Sequence, residues 1–550
     1  MPRLLLWSLL ILTVVRFVIA GSNELSEDEA YYHLWSERLA PSYYSKGPGV
    51  ATTMAASTAI FGKSEIGVRF FAPLLALGSS LVLFRLARSI FDERVAAWSV
   101  MLLNLVPIFN AGGVILTIDP LSIFFWLLAM LTFWRALHRA SGLHWLWPMT
   151  GFIIGLGFLC KYTNALQLLS VLVLLVFSRR WRGQLRRPGW LLMLGGFAVC
   201  TIPVLLWNAQ NGWITFVHLW ERGKLDGGGS GFDSGEFFEF FGGHFGVYSP
   251  FIFMGLLWAL VVSARQFFKD ERQAFLVSFA LPIVVMYFLL SFNEAGELNW
   301  TAPGWLPVAV LLAYHWPQWG VSPAWKSRLM ATGLVFAGAM SLLALNTDNL
   351  RKSGLRWSYG ADSWEPPLTA GEVMKSPYLL LDNAGDFSGR LRGWKSTAEK
   401  IGEIVKESSK HVDEKFFLIA NRYQTAAIIA HYLPEDVQVI RPTARYPVIH
   451  IVESQAAQNQ FSFWPTYGEV TERVEVPQEN GDIYIEEQGP FIGKNALYIS
   501  DTQKRKSPPQ KLLETFKGWE TLAVIDVLRR GQFVRRVRVF ALYEYRVSDL

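Results

Sequence analysis

The sequence predicts a polytopic α-helical membrane protein of about eleven spans with a C-terminal soluble α/β domain. Three observations carry that prediction. The 550 residues are 51% hydrophobic and only 17% charged, with a mean hydropathy of +0.25, too apolar and too sparsely charged for an ordinary soluble chain. Apolar runs long enough, or nearly so, to cross about 30 Å of hydrocarbon recur through the first two thirds. Near Asn349 the pattern turns polar and charged.

The runs fall near 4–20, 66–88, 95–115, 121–137, 146–160, 164–178, 190–207, 248–264, 274–291, 302–315 and 328–346. The first has the basic start and apolar stretch of a signal peptide. It lacks a clean small-x-small cleavage site before Asn23-Glu24 and reads as a retained span. Alternate loops collect the basic residues: Arg85, Arg88 and Arg94; Arg135 and Arg139; Arg179 to Arg187; Arg265, Lys269 and Arg272; Lys326 and Arg328. The Lys/Arg bias makes those loops cytoplasmic. The external side then holds 22–65, 112–120, 161–163, 208–247 and 292–301, and an odd number of spans puts the tail there too. The net charge of +6 and pI of 9.1 thus belong to loop orientation, and a nucleic-acid partner is not expected. The 23 Trp and 18 Tyr suit a chain with long water-lipid boundaries. Cys160 and Cys200 both lie in apolar segments, which argues against a disulfide framework.

The division predicted is a transmembrane domain over 1–348, with external loops 22–65 and 208–247, and an external α/β domain over 349–550. In the tail, 415–420 reads as a strand and Tyr423 to Tyr432 as a helix. Val437 to Ile440, Val448 to Val452 and Ala496 to Ser500 are short strand candidates, and Val524 to Leu528 with Val534 to Tyr545 form a closing antiparallel pair. Strand, helix, strand order favours a small sheet flanked by helices. No glycine-rich phosphate loop or metal-spaced cluster occurs in it. The run Gly227 to Gly231, in the long external loop, reads as a lid or linker.

Five external features carry chemistry. They are Asp28-Glu29 with Tyr31 and Tyr32; Tyr43-Tyr44-Ser45-Lys46-Gly47-Pro48; Thr117-Ile118-Asp119-Pro120; Lys161-Tyr162-Thr163; and Trp207 to Trp213 continuing to Glu221-Arg222-Gly223-Lys224. Each has a plainer reading. Asp119-Pro120 suits a helix start, Lys161 suits snorkelling, and Arg222 and Lys224 suit lipid headgroups. His33, His218 and His244 lack ligand spacing and read as packed or hydrogen-bonded. Asn208, Gln210 and Asn211 could simply satisfy loop backbone. Acidic residues in two successive external loops, with cations near both, instead point to a carboxylate base beside an anion pocket.

Three stretches make the pattern recognisable: Asp28-Glu29-Ala30-Tyr31-Tyr32-His33-Leu34-Trp35-Ser36, Pro203 to Trp213 and Glu297-Leu298-Asn299-Trp300-Thr301-Ala302-Pro303. In the tail, Asn421-Arg422-Tyr423-Gln424 with Tyr432-Leu433-Pro434, Asn459 to Trp464 and Gly493 to Leu497 extend it. The chain resembles the GT-C class of polyprenyl-phosphate-sugar glycosyltransferases. Within that class it is similar to glycosyltransferase family 83, which includes the aminoarabinose transferases of lipid A and is related to protein O-mannosyltransferases. The likeness covers nearly the whole chain, and Trp207-Asn208-Ala209-Gln210-Asn211-Gly212-Trp213 is its most specific part.

The resemblance implies a GT-C fold in a bacterial inner membrane and inverting transfer on the periplasmic face. The sugar would pass from undecaprenyl phosphate to an envelope acceptor such as lipid A, a glycan or a protein. It implies Asp28 as the base, with Asp119 at the second-loop acidic position, orienting the acceptor, the sugar or a metal. Glu29 joins them as a catalytic candidate or as support for the loop or a metal. Lys46 matches the lysine on the donor phosphate, with Arg222, Lys224 and Lys161 as further candidates, since a departing phosphate needs charge compensation. Tyr43 and Tyr44, with Tyr31 and Tyr32, would line the sugar or isoprenoid path. One departure is Ser45-Lys46-Gly47-Pro48, where the family often has a carboxylate before the lysine. In the aminoarabinose transferases that segment helps bind zinc, so a divalent metal is conceivable but unsupported by this sequence and the cofactor stays unassigned. A lipid-linked sugar flippase without chemistry, or a noncatalytic envelope assembly protein, are the alternatives.

Overall fold

The computed structural model describes the chain apart from residues 140–143, 223–232, 317–321, 346–390, 413, 442–446, 451–456, 465–471, 478–482, 502–505, 530–531 and 547–550. It divides into two units, one of residues 1–22 and 39–346, the other of residues 23–38 and 347–550. The first external loop does not stay whole, because 23–38 clusters with the C-terminal unit.

The first unit is helical. Its helices are α1 (Arg3–Ser22), α3 (Gly49–Phe61), α4 (Glu65–Arg69), α5 (Phe71–Ile90), α6 (Glu93–Leu105), α7 (Pro107–Gly112), α8 (Ile118–Leu137), α9 (Leu146–Cys160) and α10 (Leu166–Phe177). They continue as α11 (Gly189–Gln210), α12 (Ile214–Arg222), α13 (Ser234–Tyr248), α14 (Pro250–Ala264), α15 (Glu271–Leu290), α16 (Ala302–His315) and α17 (Ala324–Leu345); α2 (Glu27–Ser36) belongs to the other unit. Among the described residues, five helical stretches are long and apolar enough to cross a membrane, or six if a bent pair counts as one. Several expected spans are shorter or broken. The run 95–115 becomes α6 and α7, split at Val106-Pro107, and α13 meets α14 at 111°. That bend sits on Ser249, at φ +70°, followed by Pro250, whose fixed φ suits a first helical turn. Together these apolar helices mark a membrane protein.

The helices pack through small residues. A Cβ on Gly151 would lie 1.7 Å from the Met193 carbonyl oxygen, and one on Gly155 would lie 2.5 Å from Cys200 Cβ. The Gly-x-x-x-Gly spacing therefore lets α9 and α11 approach backbone to backbone, as apolar solvent favours. Trp126, Phe133, Phe253, Phe275 and Trp305 are fully buried where α8, α14, α15 and α16 meet.

The C-terminal unit holds a five-stranded sheet in the order β2-β1-β5-β7-β6. The strands are β1 (Phe417–Ala420), β2 (Val448–His450), β5 (Ala496–Ser500), β6 (Phe516–Arg529) and β7 (Gln532–Tyr545), while β3 (Glu472–Pro477) and β4 (Ile483–Gln488) form a separate hairpin. β1 pairs in parallel with both β2 and β5, and every residue of β1 and β5 is buried. Such unbroken apolar strands are what a parallel sheet covered on both faces requires. Helix α18 (Trp394–Val412) buries Ala398, Ile401 and Val405 along one stripe, and α19 (Tyr423–Tyr432) connects β1 to β2. The helix 423–432 and the strand 496–500 match the sequence reading residue for residue. The expected strand at Val437 to Ile440 is absent: one bond, from the Ile440 amide to the Phe416 carbonyl, is too little to build a ladder. The β3–β4 hairpin and α18 were not anticipated.

Candidate functional site

In the first unit, three element ends converge on Asp119. Thr117 is the N-cap of α8, accepting from the Asp119 amide at 3.4 Å, so Asp119 is not itself the cap and its carboxylate is used elsewhere. Oδ1 accepts from Lys161 Nζ at 2.7 Å and Oδ2 from Asn299 Nδ2 at 2.7 Å. Lys161 is the C-cap of α9 and Asn299 lies in the 3₁₀ turn Leu298–Thr301. An anion in the first turn of one helix and a cation at the end of another are each favoured by the helix dipoles. Lys161 is only 5% exposed, which removes the snorkelling reading. Asn164 secures the arrangement, its Nδ2 donating to the Ser122 carbonyl of α8 at 3.1 Å.

The Lys46 loop is pressed against the same end of α9. A Cβ on Gly47 would lie 2.3 Å from the Leu159 carbonyl oxygen, and one on Gly49 2.5 Å from Cys160 Sγ, so only glycine allows that approach. The Tyr43 amide donates to the Lys46 carbonyl at 3.0 Å, closing the turn, and Thr215 Oγ1 donates to the Tyr43 carbonyl at 3.2 Å, tying it to α12. Ser42 Oγ and Tyr162 Oη share a 2.8 Å hydrogen bond. Tyr43 is fully buried, and burial pushes its phenol up to about 12. The Tyr44 ring lies 4.6 Å from His218, centroid to centroid.

His218 reports the local field. Burial first, then Lys46 and Arg222, hold its imidazole down at about 4, so it is neutral at pH 7. Two cations from separate stretches thus act on one point. Arg222, at the end of α12, lies 5.1 Å over the Trp300 ring, with Nη2 3.9 Å from Glu297 Oε1 in a solvent-exposed pair of small energetic weight. The first unit therefore gathers Lys46, Arg222 and His218 in one group and Asp119, Lys161 and Asn299 in another. Trp300 and Asn299, neighbours in one turn, join the two.

In the C-terminal unit, α2 (Glu27–Ser36) carries the first acidic motif. Ser26 caps it, and Glu29 completes a capping box: its Oε2 accepts from the Ser26 amide at 2.9 Å and from Ser26 Oγ at 3.0 Å, while the Glu29 amide donates back to Ser26 Oγ at 3.3 Å. Glu29 is fully buried and its carboxylate serves this cap, whereas Asp28 beside it is exposed. Tyr31 and Tyr32 are both buried; the Tyr31 hydroxyl accepts from the Gln460 amide at 2.7 Å, and its ring packs 4.5 Å from Tyr423. Lys224 and the run Gly227 to Gly231 lie outside the described residues. No group of three or more His, Cys, Asp or Glu among the described residues could hold a metal ion.

The family model described as dolichyl-phosphate-mannose-protein mannosyltransferase matches residues 45–207. The lipid A galacturonosyltransferase RgtD of Rhizobium johnstonii is 28% identical over 325 residues, covering 58% of this chain and 67% of that protein. The undecaprenyl phosphate-alpha-4-amino-4-deoxy-L-arabinose arabinosyl transferase of Pseudomonas aeruginosa is 26% identical over 367 residues, covering 60% of this chain and 65% of that protein. Among solved structures, ArnT from Cupriavidus metallidurans bound to undecaprenyl phosphate aligns with a TM-score of 0.59 at 16% identity, over 98% of this chain and 97% of that one. The chain has the fold of the GT-C glycosyltransferases.

Sequence reading proposes Asp119, Lys161, Lys46 and Arg222 one by one, and the structure adds the contacts that join Asp119 to Lys161 and Asn299. In sequence, Asn299 and Trp300 belong to a motif with no evident role, and His218 reads as packed or hydrogen-bonded. Amide and indole groups carry no charge signal, so only their position between known charges reveals them.

Proposed function

We propose that this GT-C enzyme moves a sugar from a polyprenyl phosphate, undecaprenyl phosphate, to an envelope acceptor, with inversion, on the periplasmic face of a bacterial inner membrane. The name of one relative, a lipid A galacturonosyltransferase, favours lipid A among the acceptors. The topology proposed is about eleven crossings, the shorter and broken helices being spans of the bundle, with residues 1–348 as the membrane domain and 349–550 periplasmic and soluble. The observation that carries the reading is the cluster in which Lys161 and Asn299 hold Asp119, with Arg222 over Trp300 in the same turn as Asn299.

In this reading the acceptor oxygen attacks the anomeric carbon and its proton passes to the Asp28 carboxylate. The bond from the anomeric carbon to the phosphate oxygen breaks, and the polyprenyl phosphate leaves with the electron pair. Lys46 and Arg222 compensate the anion, which needs no protonation to depart. Lys161 holds Asp119 in place for the sugar or acceptor and lends the donor phosphate further positive field. Tyr44, beside His218, lines the donor path, while Glu29 supports the helix that carries Asp28. No step is routed through a metal.

The test is mass spectrometry of lipid A and other envelope glycoconjugates from cells carrying the wild type or Asp28→Asn, with polyprenyl phosphate measured in parallel. Transfer requires a sugar lost from one acceptor in the variant, together with lost release of free polyprenyl phosphate. Wild-type-like transfer by Asp28→Asn would remove the base assignment. A donor moved across the bilayer but chemically intact would indicate a flippase.

A further inference from the structure

Two of the tail stretches that share the family likeness meet on residues 23–38, the segment that contains α2. The α19 start supplies Arg422, whose Nη2 donates to Glu27 Oε1 at 2.9 Å. Tyr432, at the end of α19, accepts from the Leu25 amide at 2.7 Å, and Gln460 with Phe461 holds Tyr31, the Phe461 ring lying 6.2 Å away and nearly parallel. Glu24, just before α2, accepts from the Trp394 and Lys395 amides at the start of α18. The segment 23–38 is therefore folded as part of the C-terminal unit, and the residue next to its exposed carboxylate is grasped by a guanidinium.

The grip has a definite architecture. Asn421 and Arg422 follow β1, and Asp501 follows β5, its parallel neighbour, so all three leave the carboxyl edge of the sheet together. In open α/β sheets that edge is where ligands are held. Here the occupant is the protein's own Glu27. Arg422 Nε also donates to Asp501 Oδ1 at 3.2 Å, and Asn421 Nδ2 to the same oxygen at 3.0 Å, which fixes the guanidinium plane. At the side chain Asp501 is 8% and Glu27 20% exposed while Arg422 is 46% exposed, so the two carboxylates are shielded and the guanidinium keeps one side in water.

We infer that Arg422 is a positioning residue for sugar transfer: through Glu27 it fixes the first turn of α2 and with it the direction in which Asp28 is presented. The inference rests on the proposed role of Asp28 and gives the C-terminal sheet a catalytic duty rather than acceptor selection alone. It predicts a defect in turnover, since the donor-phosphate cations of the first unit are untouched.

The experiment is a double-mutant cycle on the full-length protein in detergent or nanodiscs, with undecaprenyl-phosphate sugar as donor. Arg422→Gln and Glu27→Gln should each lower kcat by roughly tenfold or more with donor KM unchanged, the size expected for losing a charge-assisted hydrogen bond. The double variant should be no slower than the worse single one, and Arg422→Lys should recover part of the rate. Losses that multiply, a change confined to donor KM, or wild-type turnover in Arg422→Gln would each overturn the inference. If Arg422→Gln does not fold, the cycle is run with Arg422→Lys, where the same non-additivity is required. An active Asp28→Asn would remove the transfer mechanism itself, whereas an inactive Asp28→Asn with multiplying losses removes only this inference.

Discussion

Replacing Lys161 with Gln tests the first-unit cluster most directly, because its consequence can be worked from geometry. The ammonium lies 2.7 Å from Asp119 Oδ1, with the two side chains 7% and 18% exposed. At an effective dielectric constant of about 20, two unit charges at that distance attract by about 6 kcal/mol, an upper figure before desolvation is subtracted. Removing one member of a buried pair typically costs about 3–5 kcal/mol, because the other is left without compensation. After Lys161→Gln, Asp119 retains the Asn299 amide at 2.7 Å, so a loss near the lower end, about 3 kcal/mol, is expected. Asp119→Asn strands the more deeply buried ammonium and should cost at least as much. The double variant, with both charges gone, should be less damaged than the sum of the two by about 2 kcal/mol or more. Unfolding of such a protein is often irreversible, so the assay compares inactivation half-lives at one temperature across the four proteins. Donor KM is measured in parallel and should rise in Lys161→Gln. Additive losses with unchanged KM would refute the claim that the two residues form one unit.

Three further outcomes follow from the same geometry. Gly47→Val would place a Cβ 2.3 Å from the Leu159 carbonyl oxygen, which is backbone and cannot swing aside, so the Lys46 loop must shift; donor KM should rise severalfold, and an unchanged KM would mean that Lys46 is not on the donor. Arg222→Gln should weaken donor affinity by roughly tenfold or more, as loss of a charge-assisted phosphate contact predicts, while the exposed Glu297 pair adds little to stability; titration with undecaprenyl phosphate checks this. His218 sits at about 4 against an ordinary 6.5, so as pH falls the unfolded chain takes up that proton first. Its contribution to stability is complete above about 6.5 and is lost progressively as pH falls toward about 4. The slope of stability against pH across that window should be shallower in His218→Gln than in the wild type, and identical slopes would place the imidazole outside the cation field.

What the sequence revealed follows from the range of the forces involved. Hydropathy marks a helix within its own residues, so the runs at 146–160 and 302–315 coincide with α9 and α16. Breaks inside a span are harder to see, because the run 95–115 is uniformly apolar while its fracture depends on Pro107 and on how α7 packs. Charged side chains announce themselves, and Asp119, Lys161, Lys46 and Arg222 were all singled out. Their pairing was not, since Asp119 and Lys161 are 42 positions apart and Asp119 and Asn299 are 180 apart. The two acids of the first motif separated for a local reason that the sequence does contain: Ser26 stands three residues before Glu29, the spacing of a capping box, which assigns Glu29 to the helix start and leaves Asp28 facing out.

The tail shows why a motif without evident chemistry can still belong to an active enzyme. Asn421-Arg422-Tyr423-Gln424 contains no nucleophile or metal set, and in sequence order it lies about 400 residues from the acidic motif. Its residues nevertheless meet that motif at two independent points, Arg422 on Glu27 and Tyr423 on Tyr31. The Glu27 carboxyl is pushed above its usual range by burial, while Arg422 pulls it back. Arg422 is the larger of two cationic influences on Glu27, ahead of Arg535, and without it Glu27 either takes up a proton more readily or turns toward water. Either route moves the first turn of α2, where Asp28 is the next residue. Arg422 and Glu27 would then be constrained together with the carboxylate whose direction they set, which explains how the family likeness runs from the first external loop into a domain with no catalytic signature of its own.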